Sequence, residues 1–392
     1  MQFLFCAMQR DVDLLILGGG CAGLSLAMAL AQFGSHAPST LIVEQRHRYE
    51  NDRTWCFWGD AQTPFAQQAA HQWQTFTVVN DEEELRVDSS ATPYRMLAAE
   101  QFYKAATTAL EAVSQMRLQM NSTVMFEPQF RKSRWHFETP EGSFSAGRIV
   151  DTRPQQLPSK DGALLWQSFY GHEIECAQPV FDPSCVELMN FSAATTDRVA
   201  FTYVLPLSPT RALVEFTVFA EVPLAVDALS ADLQSAIAKR VKGAAFTVRR
   251  SEQGVLPMGL SDSPAAGQRA DPSYVHVGLF AGAARPATGY AFQRIQRWAV
   301  DCAREIANGG VPLGHPKEPA LRGWMDTLFL NVVRRQPQMA PQLFMALFSG
   351  VSNRRVIRFL GESGTFFDYA AMVWALPHRP FLRQLMSSPR WP

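Results

Sequence analysis

Hydrophobic and polar positions along the chain follow two rhythms. Val12–Leu17 (VDLLIL) is a short, nearly unbroken apolar run, the pattern of a strand buried on both faces of a parallel sheet. Glycines follow at 18, 19, 20 and 23, then LSLAMALAQF, rich in helix formers, with a stop expected at Gly34. STLIVE (Ser39–Glu44) is a second buried strand that closes on an acid. Together they predict a strand–turn–helix–strand unit. Farther on, Tyr94–Val113 reads as one amphipathic helix with Leu97, Phe102 and Leu110 inward. Strand-like segments then run from about 116 to 138, and GRIVDTRP (Gly147–Pro154) predicts a buried strand ending in an Asp151–Arg153 ion pair.

From 165 to about 248 the rhythm shifts to short β-type runs broken by proline. AFTYVLPL and RALVEFTVF flank Ser208–Thr210 and predict a hairpin, and LAVDALSADLQSAIAKRVKG predicts a helix with a glycine stop. EQGVLPM (Glu252–Met258) and the stretch 274–310 return to strand, glycine-rich turn and helix, and the tail from Glu318 is helical. A second strand–glycine-turn–helix so late in the chain predicts a discontinuous nucleotide-binding domain. The expected class is α/β: a Rossmann-type domain over 1–160 and 251–310, an inserted β-rich substrate domain at 161–250, and a helical C-terminal region at 311–392.

Gly18, Gly20 and Gly23 satisfy G-x-G-x-x-G, and Glu44 lies 24 residues beyond Gly20. The first glycine permits the tight turn, the second lets backbone approach a pyrophosphate, and the third lets helix and strand pack closely. The helix N-terminus then faces the phosphates, and Glu44 is placed to accept from a ribose hydroxyl.

Composition narrows the partners. Lys+Arg and Asp+Glu both number 36 in 392 residues, so no net field attracts nucleic acid or an anionic surface. With 47% hydrophobic and 18% charged residues, and 27 Phe, the chain carries either a large core or apolar surface for a greasy ligand or a bilayer. The six cysteines form no C-x-x-C pair and the eight histidines no zinc spacing, so no metal is expected and a reducing cytoplasm is. MQFLFCAMQRDVD lacks the basic start of a leader, and Met8 is an equally good start. Leu14–Phe33 is uncharged over 20 residues, yet its glycines argue against a membrane span.

NDRTWCFW (Asn51–Trp58), VDTRP, FYGHEIE with PVFDP, LPLSPTRALVEFT, EQGVLPM and ATGYAFQRIQ occur in an order that resembles the bacterial lycopene β-cyclases, from about Asp13 to Leu382. VIRFLGESGTFFD extends the likeness into the tail. The resemblance implies a flavoprotein holding reduced FAD, with NADPH as the reductant and no net redox change. It implies an isomerase (an intramolecular lyase) that closes the ends of lycopene to β-ionone rings. The glutamate in LVEFT, Glu215, would protonate the terminal double bond. Arg53, Gly278, Gly282, Thr288, Gly289 and Tyr290 would border the flavin. A peripheral position at the inner face of the plasma membrane would suit a polyene substrate; oligomeric state is left open. Phe216 stands where many relatives carry a second acid. A cyclase of a different polyene and an FAD-dependent monooxygenase are the alternatives, the latter disfavoured by GLFAGAARP, which lacks the acidic flavin motif.

As a strand, Arg211–Phe219 puts Arg211, Leu213, Glu215, Thr217 and Phe219 on one face and only apolar residues on the other. Glu215 then either faces solvent with Arg211 as cross-turn partner or lines a pocket as an acid. An acid role needs a neutral carboxyl near pH 7. With no neighbouring acid, desolvation is expected to carry more of the shift.

Overall fold

The two opening apolar runs pair as parallel strands because each hides both faces. The structure, a computed structural model, describes residues 10–154, 162–192, 197–260, 271–361 and 363–387; the candidate start at Met8 and the expected boundary at 160 lie outside these. Strand β1 (Arg10–Leu17), helix α1 (Cys21–Ala31) and β2 (Thr40–Val43) form the first unit, with Leu14 opposite Thr40 and Leu17 opposite Val43. Leu14 and Ile16 point into one buried cluster and Leu15 and Leu17 into another, which explains the unbroken run.

The next segments are β3 (Thr54–Trp58), β4 (His71–Trp73), β5 (Thr75–Val79), β6 (Glu84–Asp88) and β7 (Tyr94–Ala98), followed by α2 (Ala99–Glu111). Tyr94–Val113 is therefore not one helix. Its first five residues pair with β3 and β4 in a three-stranded sheet, where cross-strand packing of Tyr94 and Met96 overrides helix propensity. Phe102 and Leu110 remain the inner face of α2, as expected, whereas Leu97 is buried from a strand.

Strands β8 (Met116–Gln119), β9 (Gln129–Arg131), β10 (Arg134–Thr139), β11 (Gly142–Asp151) and β17 (Tyr274–His276) complete the first sheet, ordered β8-β2-β1-β11-β10-β9 with β17 on β11. Leu17 stands opposite Asp151, and Asp151 opposite His276. The C-terminal ends of β1, β2, β11 and β17 thus share one edge, where open α/β sheets bind ligands. Asp151 and Arg153 form the expected strand-end pair at 2.7 Å. Helix α4 (Phe292–Ala307) packs beside α1, joined by the 2.9 Å Gln296–Ser25 bond.

The second sheet has the order β16-β12-β15-β14-β13-β5-β6 and includes β12 (Ala163–Cys176), β13 (Val186–Asn190), β14 (Val199–Pro206), β15 (Arg211–Ala220) and β16 (Phe246–Leu260). Three of these strands are long, and Pro257 is tolerated because β16 is an edge. The sheet also recruits residues 75–88, far upstream of the β-rich stretch. β14 and β15 make the expected hairpin. Helix α3 (Val226–Val241) covers one sheet face. The C-terminal helices α5 (Ala320–Arg335), α6 (Ala340–Ser349), α7 (Asn353–Leu360), α8 (Phe366–Ala375) and α9 (His378–Ser387) lie over the other, where Leu213 and Phe219 share a cluster with Leu330, Leu343 and Phe348. A buried ion pair, Arg285 to Asp326 at 3.1 Å, ties α5 to the turn before α4; the same guanidinium donates to the Phe359 carbonyl on α7 at 2.6 Å.

Candidate active site

The two faces of β15 part as its alternation requires. Ala212, Val214, Phe216 and Val218 pack under α3, while Leu213, Glu215, Thr217 and Phe219 line a cavity of about 860 Å³ beneath the C-terminal helices. Arg211 is not the partner of Glu215; it pairs with Glu173. The cavity wall is mostly aromatic and aliphatic, with Phe201 edge-on to Phe219 and Phe329 edge-on to Phe344, both at 5.6 Å.

Glu215 is partly buried and its open side faces this cavity. Thr217 Oγ1 donates to its Oε1 at 3.1 Å. A second carboxyl stands beside it: Glu252, on β16, is hydrogen-bonded to Glu215. Burial first, and the Glu252 carboxylate second, raise the Glu215 pKa well above the ordinary glutamate value and so favour the neutral acid. Desolvation is the leading cause, as expected, but like-charge coupling is present too, and the expectation that Glu215 lacks a companion acid is corrected.

The companion was hidden by sequence distance. β12 runs between β15 and β16, and its Gly171 lies opposite Glu215 on one side and Glu252 on the other. A Cβ at 171 would fall 3.2 Å from Glu215 Cβ, so the missing side chain leaves the two carboxyls room to meet. Glu252 is 5% exposed and fixed from its far side: Arg250 Nη1 lies 2.5 Å from Oε2, and Thr54 Oγ1 donates to Oε2 at 2.8 Å. Arg250 Nη2 also donates to Thr54 Oγ1 at 2.7 Å. The one signal available earlier was the place of Glu252 in the EQGVLPM segment.

Neutral polar groups complete the surroundings. Tyr203 stands opposite Glu215 on β14, and its hydroxyl is hydrogen-bonded to that of Tyr94. Burial holds both phenols well above the ordinary tyrosine value and pushes the Cys56 thiol up to about 12. The arrangement can present one proton to an apolar ligand with little competing water.

The nucleotide-type edge lies at the ends of β1 and β17. Gly18 has φ +95°, which an L side chain would resist, and a Cβ at Gly23 would fall 2.0 Å from the Gly18 carbonyl. No side chain caps the first turn of α1. A Cβ at Gly20 or Gly282 would meet nothing within 4 Å, so both turns leave backbone open to a ligand. Glu44, 4% exposed, is already engaged: Oε2 accepts from the Gly19 N–H at 2.7 Å, and Oε1 from the Arg46 N–H and Nε, each at 2.9 Å. The residues fit a dinucleotide cofactor on backbone space and donor chemistry.

Arg53, Thr288, Gly289 and Tyr290 line the cavity together with Glu215, whereas Gly18, Gly20, Gly23 and Glu44 stay at the sheet edge. Trp55 and Phe57 stack against Phe292, and Trp58 packs on Tyr94 and Tyr290, so the NDRTWCFW segment is an aromatic-buried strand that also borders the cavity. Sequence reasoning passed over His315. Its Nε2 accepts the Gly278 N–H at 2.9 Å, and burial, with the nearby Arg294 charge, lowers its pKa to about 3.

The profile described as "Lycopene cyclase protein" matches residues 13–386. Lycopene beta-cyclase from Pseudescherichia vulneris is 25% identical over 379 residues, covering 94% of this chain and 95% of its own. Lycopene beta-cyclase from a Paracoccus species is 35% identical over 193 residues, 48% of this chain and 47% of its own. Among solved structures, a geranylgeranyl bacteriochlorophyll reductase-like protein from Thermoplasma acidophilum superposes with a TM-score of 0.60 at 10% identity, covering 97% of each chain. The flavin-dependent monooxygenase PieE, in complex with FAD and substrate, gives 0.59 at 14% identity over 93% of this chain and 71% of its own. These likenesses give the fold alone, a Rossmann-type α/β architecture.

Proposed function

Because the chain belongs to the lycopene cyclase family, we propose that it closes the linear ends of lycopene to β-ionone rings, with Glu215 as the acid. The observation that carries this reading is a carboxyl with a raised pKa facing an aromatic cavity. The Glu215 O–H adds its proton to the terminal double bond, and the neighbouring alkene closes on the resulting cation. A ring proton is then lost. One proton enters and one leaves, so the product is an isomer and no electrons are transferred. Aromatic side chains along the wall, Phe201 and Phe219 among them, favour a cation beside an open ring face.

Gly18, Gly20, Gly23 and the first turn of α1 would hold the pyrophosphate of FAD. Arg53 and the turn after β17, with Gly282, Thr288, Gly289 and Tyr290, would border its flavin. Glu44 would reach the ribose by giving up a bond to Arg46. Reduced FAD, when bound, supplies negative charge that offsets the cation, and NADPH is the reductant in this reading.

A peripheral position at a membrane fits the outer helices. Phe367 on α8 is 72% exposed and Trp374 83%, Met386 on α9 is 81% exposed, and Arg379 and Arg383 are exposed beside them. Met372, Phe381 and Leu385 of the same helices line the cavity, which would put its entrance near lipid. Among the described residues no helix is long and apolar enough to cross a membrane. Expression in a lycopene-accumulating bacterium tests the activity. β-Carotene or its monocyclic precursor is expected; unchanged lycopene beside bound flavin, or an oxygenated product, would contradict it.

A further inference from the structure

We propose that Glu252 is a positioning residue for the Glu215 proton, brought to it across the sheet by the missing side chain of Gly171. The proposal rests on the reading of Glu215 as the acid. Three strands carry the geometry: Glu215, Gly171 and Glu252 form one row across β15, β12 and β16. In a sheet whose strands lie roughly 4.8 Å apart, residues on alternate strands are about 10 Å apart, and any side chain on the strand between normally separates them. Here the central place is glycine, and the two long carboxyl side chains meet over it.

The two ends of the row differ in their partners. Glu252 is committed to Arg250 and Thr54, and Arg250 is itself held by Glu173 at 2.6 Å. Among the described residues, Glu215 is bonded to Thr217 and Glu252 and lies opposite no cation of its own, and it faces the cavity. An ion-paired carboxylate beside an unpaired carboxyl localises the shared proton on the unpaired one, which is the group that faces the ligand. Tyr203 stands opposite Glu215 on β14 and the Cys56 thiol from β3 feels its charge, while Tyr94, bonded to Tyr203, and Tyr290, beside Cys56, line the same cavity. Among the described residues, Arg250 is a cation that acts on Glu215, and its guanidinium is turned to Glu252, Thr54 and Glu173; Arg53, also on the cavity wall, is bonded to Asp52. A carboxyl at 216 would not serve in place of Glu252, because position 216 points to the opposite face, under α3.

The test follows the protonated-carboxyl C=O stretch by infrared difference spectroscopy during a pH titration of the full chain, alongside flavin absorbance and ring closure. Glu215→Gln should abolish the band. Glu252→Gln, close to isosteric, should keep flavin absorbance and move the band's midpoint down by about one pH unit or more. Where ring closure is measurable, the alkaline limb of kcat should move by the same amount with KM little changed. Gly171→Ala, which crowds Glu215, should move the midpoint in the same direction. Restoring a carboxylate as Glu252→Asp should recover part of the shift. An unchanged midpoint in Glu252→Gln would overturn the proposal even if the wild-type protein makes β-carotene. A shifted midpoint in a protein that closes no ring would uphold the pairing and sink the cyclase reading instead.

Discussion

Glu215 on β15 and Glu252 on β16 are 37 positions apart in sequence (252 − 215), yet stand in one row across the sheet, on either side of Gly171. That relationship makes the raised pKa of Glu215 a property of the tertiary fold. It also gives the acid a cost in stability, which can be measured.

A carboxyl that stays protonated in the folded protein and ionises in the unfolded one makes folding weaken as pH rises. The contribution is fully present below the ordinary glutamate value of 4.5 and is lost as pH climbs toward the raised folded value. Relative to Glu215→Gln, the wild-type apoprotein should therefore lose up to about 1.4 kcal/mol per pH unit above that value. Urea midpoints of both proteins at pH 5 to 8 check this. A pH-independent difference would mean Glu215 ionises normally.

His315 has the opposite sign. Its folded pKa, about 3, lies below the ordinary 6.5, so stability is complete above pH 6.5 and is lost as pH falls through that window. His315→Gln keeps an acceptor for the Gly278 N–H but does not titrate. The variant should escape the acid-side loss, again up to about 1.4 kcal/mol per pH unit, in unfolding curves between pH 6.5 and 4. Parallel curves for variant and wild type would contradict the assignment.

Gly23 sits where even a methyl group collides with the Gly18 carbonyl. Gly23→Val should cost roughly 1–3 kcal/mol through overpacking and should yield protein without bound flavin. Flavin absorbance of the purified variant, with circular dichroism as the fold control, decides this. Retained flavin at wild-type occupancy would show that the pyrophosphate site lies elsewhere.

The α8–α9 patch predicts membrane affinity. Replacing Trp374 and Phe367 with serine removes two exposed aromatics, each worth roughly 1.5–3 kcal/mol when buried. Co-sedimentation with phospholipid vesicles should fall at least about tenfold, while flavin content stays the same. Unaltered co-sedimentation would remove the patch from the account.

Local chemistry explains which parts of this were legible in the sequence. The β1–α1–β2 unit is set by short unbroken apolar runs and the two faces of β15 by local alternation, and both occur where the pattern put them. The segment 94–113 misled because Tyr94–Ala98 satisfies a helical period by accident, and only pairing with β3 and β4 makes it a strand. Glu252 was invisible as a companion acid because its relation to Glu215 depends on the register of a third strand. His315 carried no signal at all: its role is one hydrogen bond to a backbone 37 residues away.

The central claim is that Glu215 delivers the proton that starts ring closure. The most direct measurement is the mass of β-carotene formed from lycopene in heavy water by the reduced, FAD-loaded protein. The account predicts one deuteron in each new ring for the wild type, and no ring closure for Glu215→Gln with its flavin absorbance intact. Rings formed without deuterium, or formed by Glu215→Gln at the wild-type rate, would contradict it.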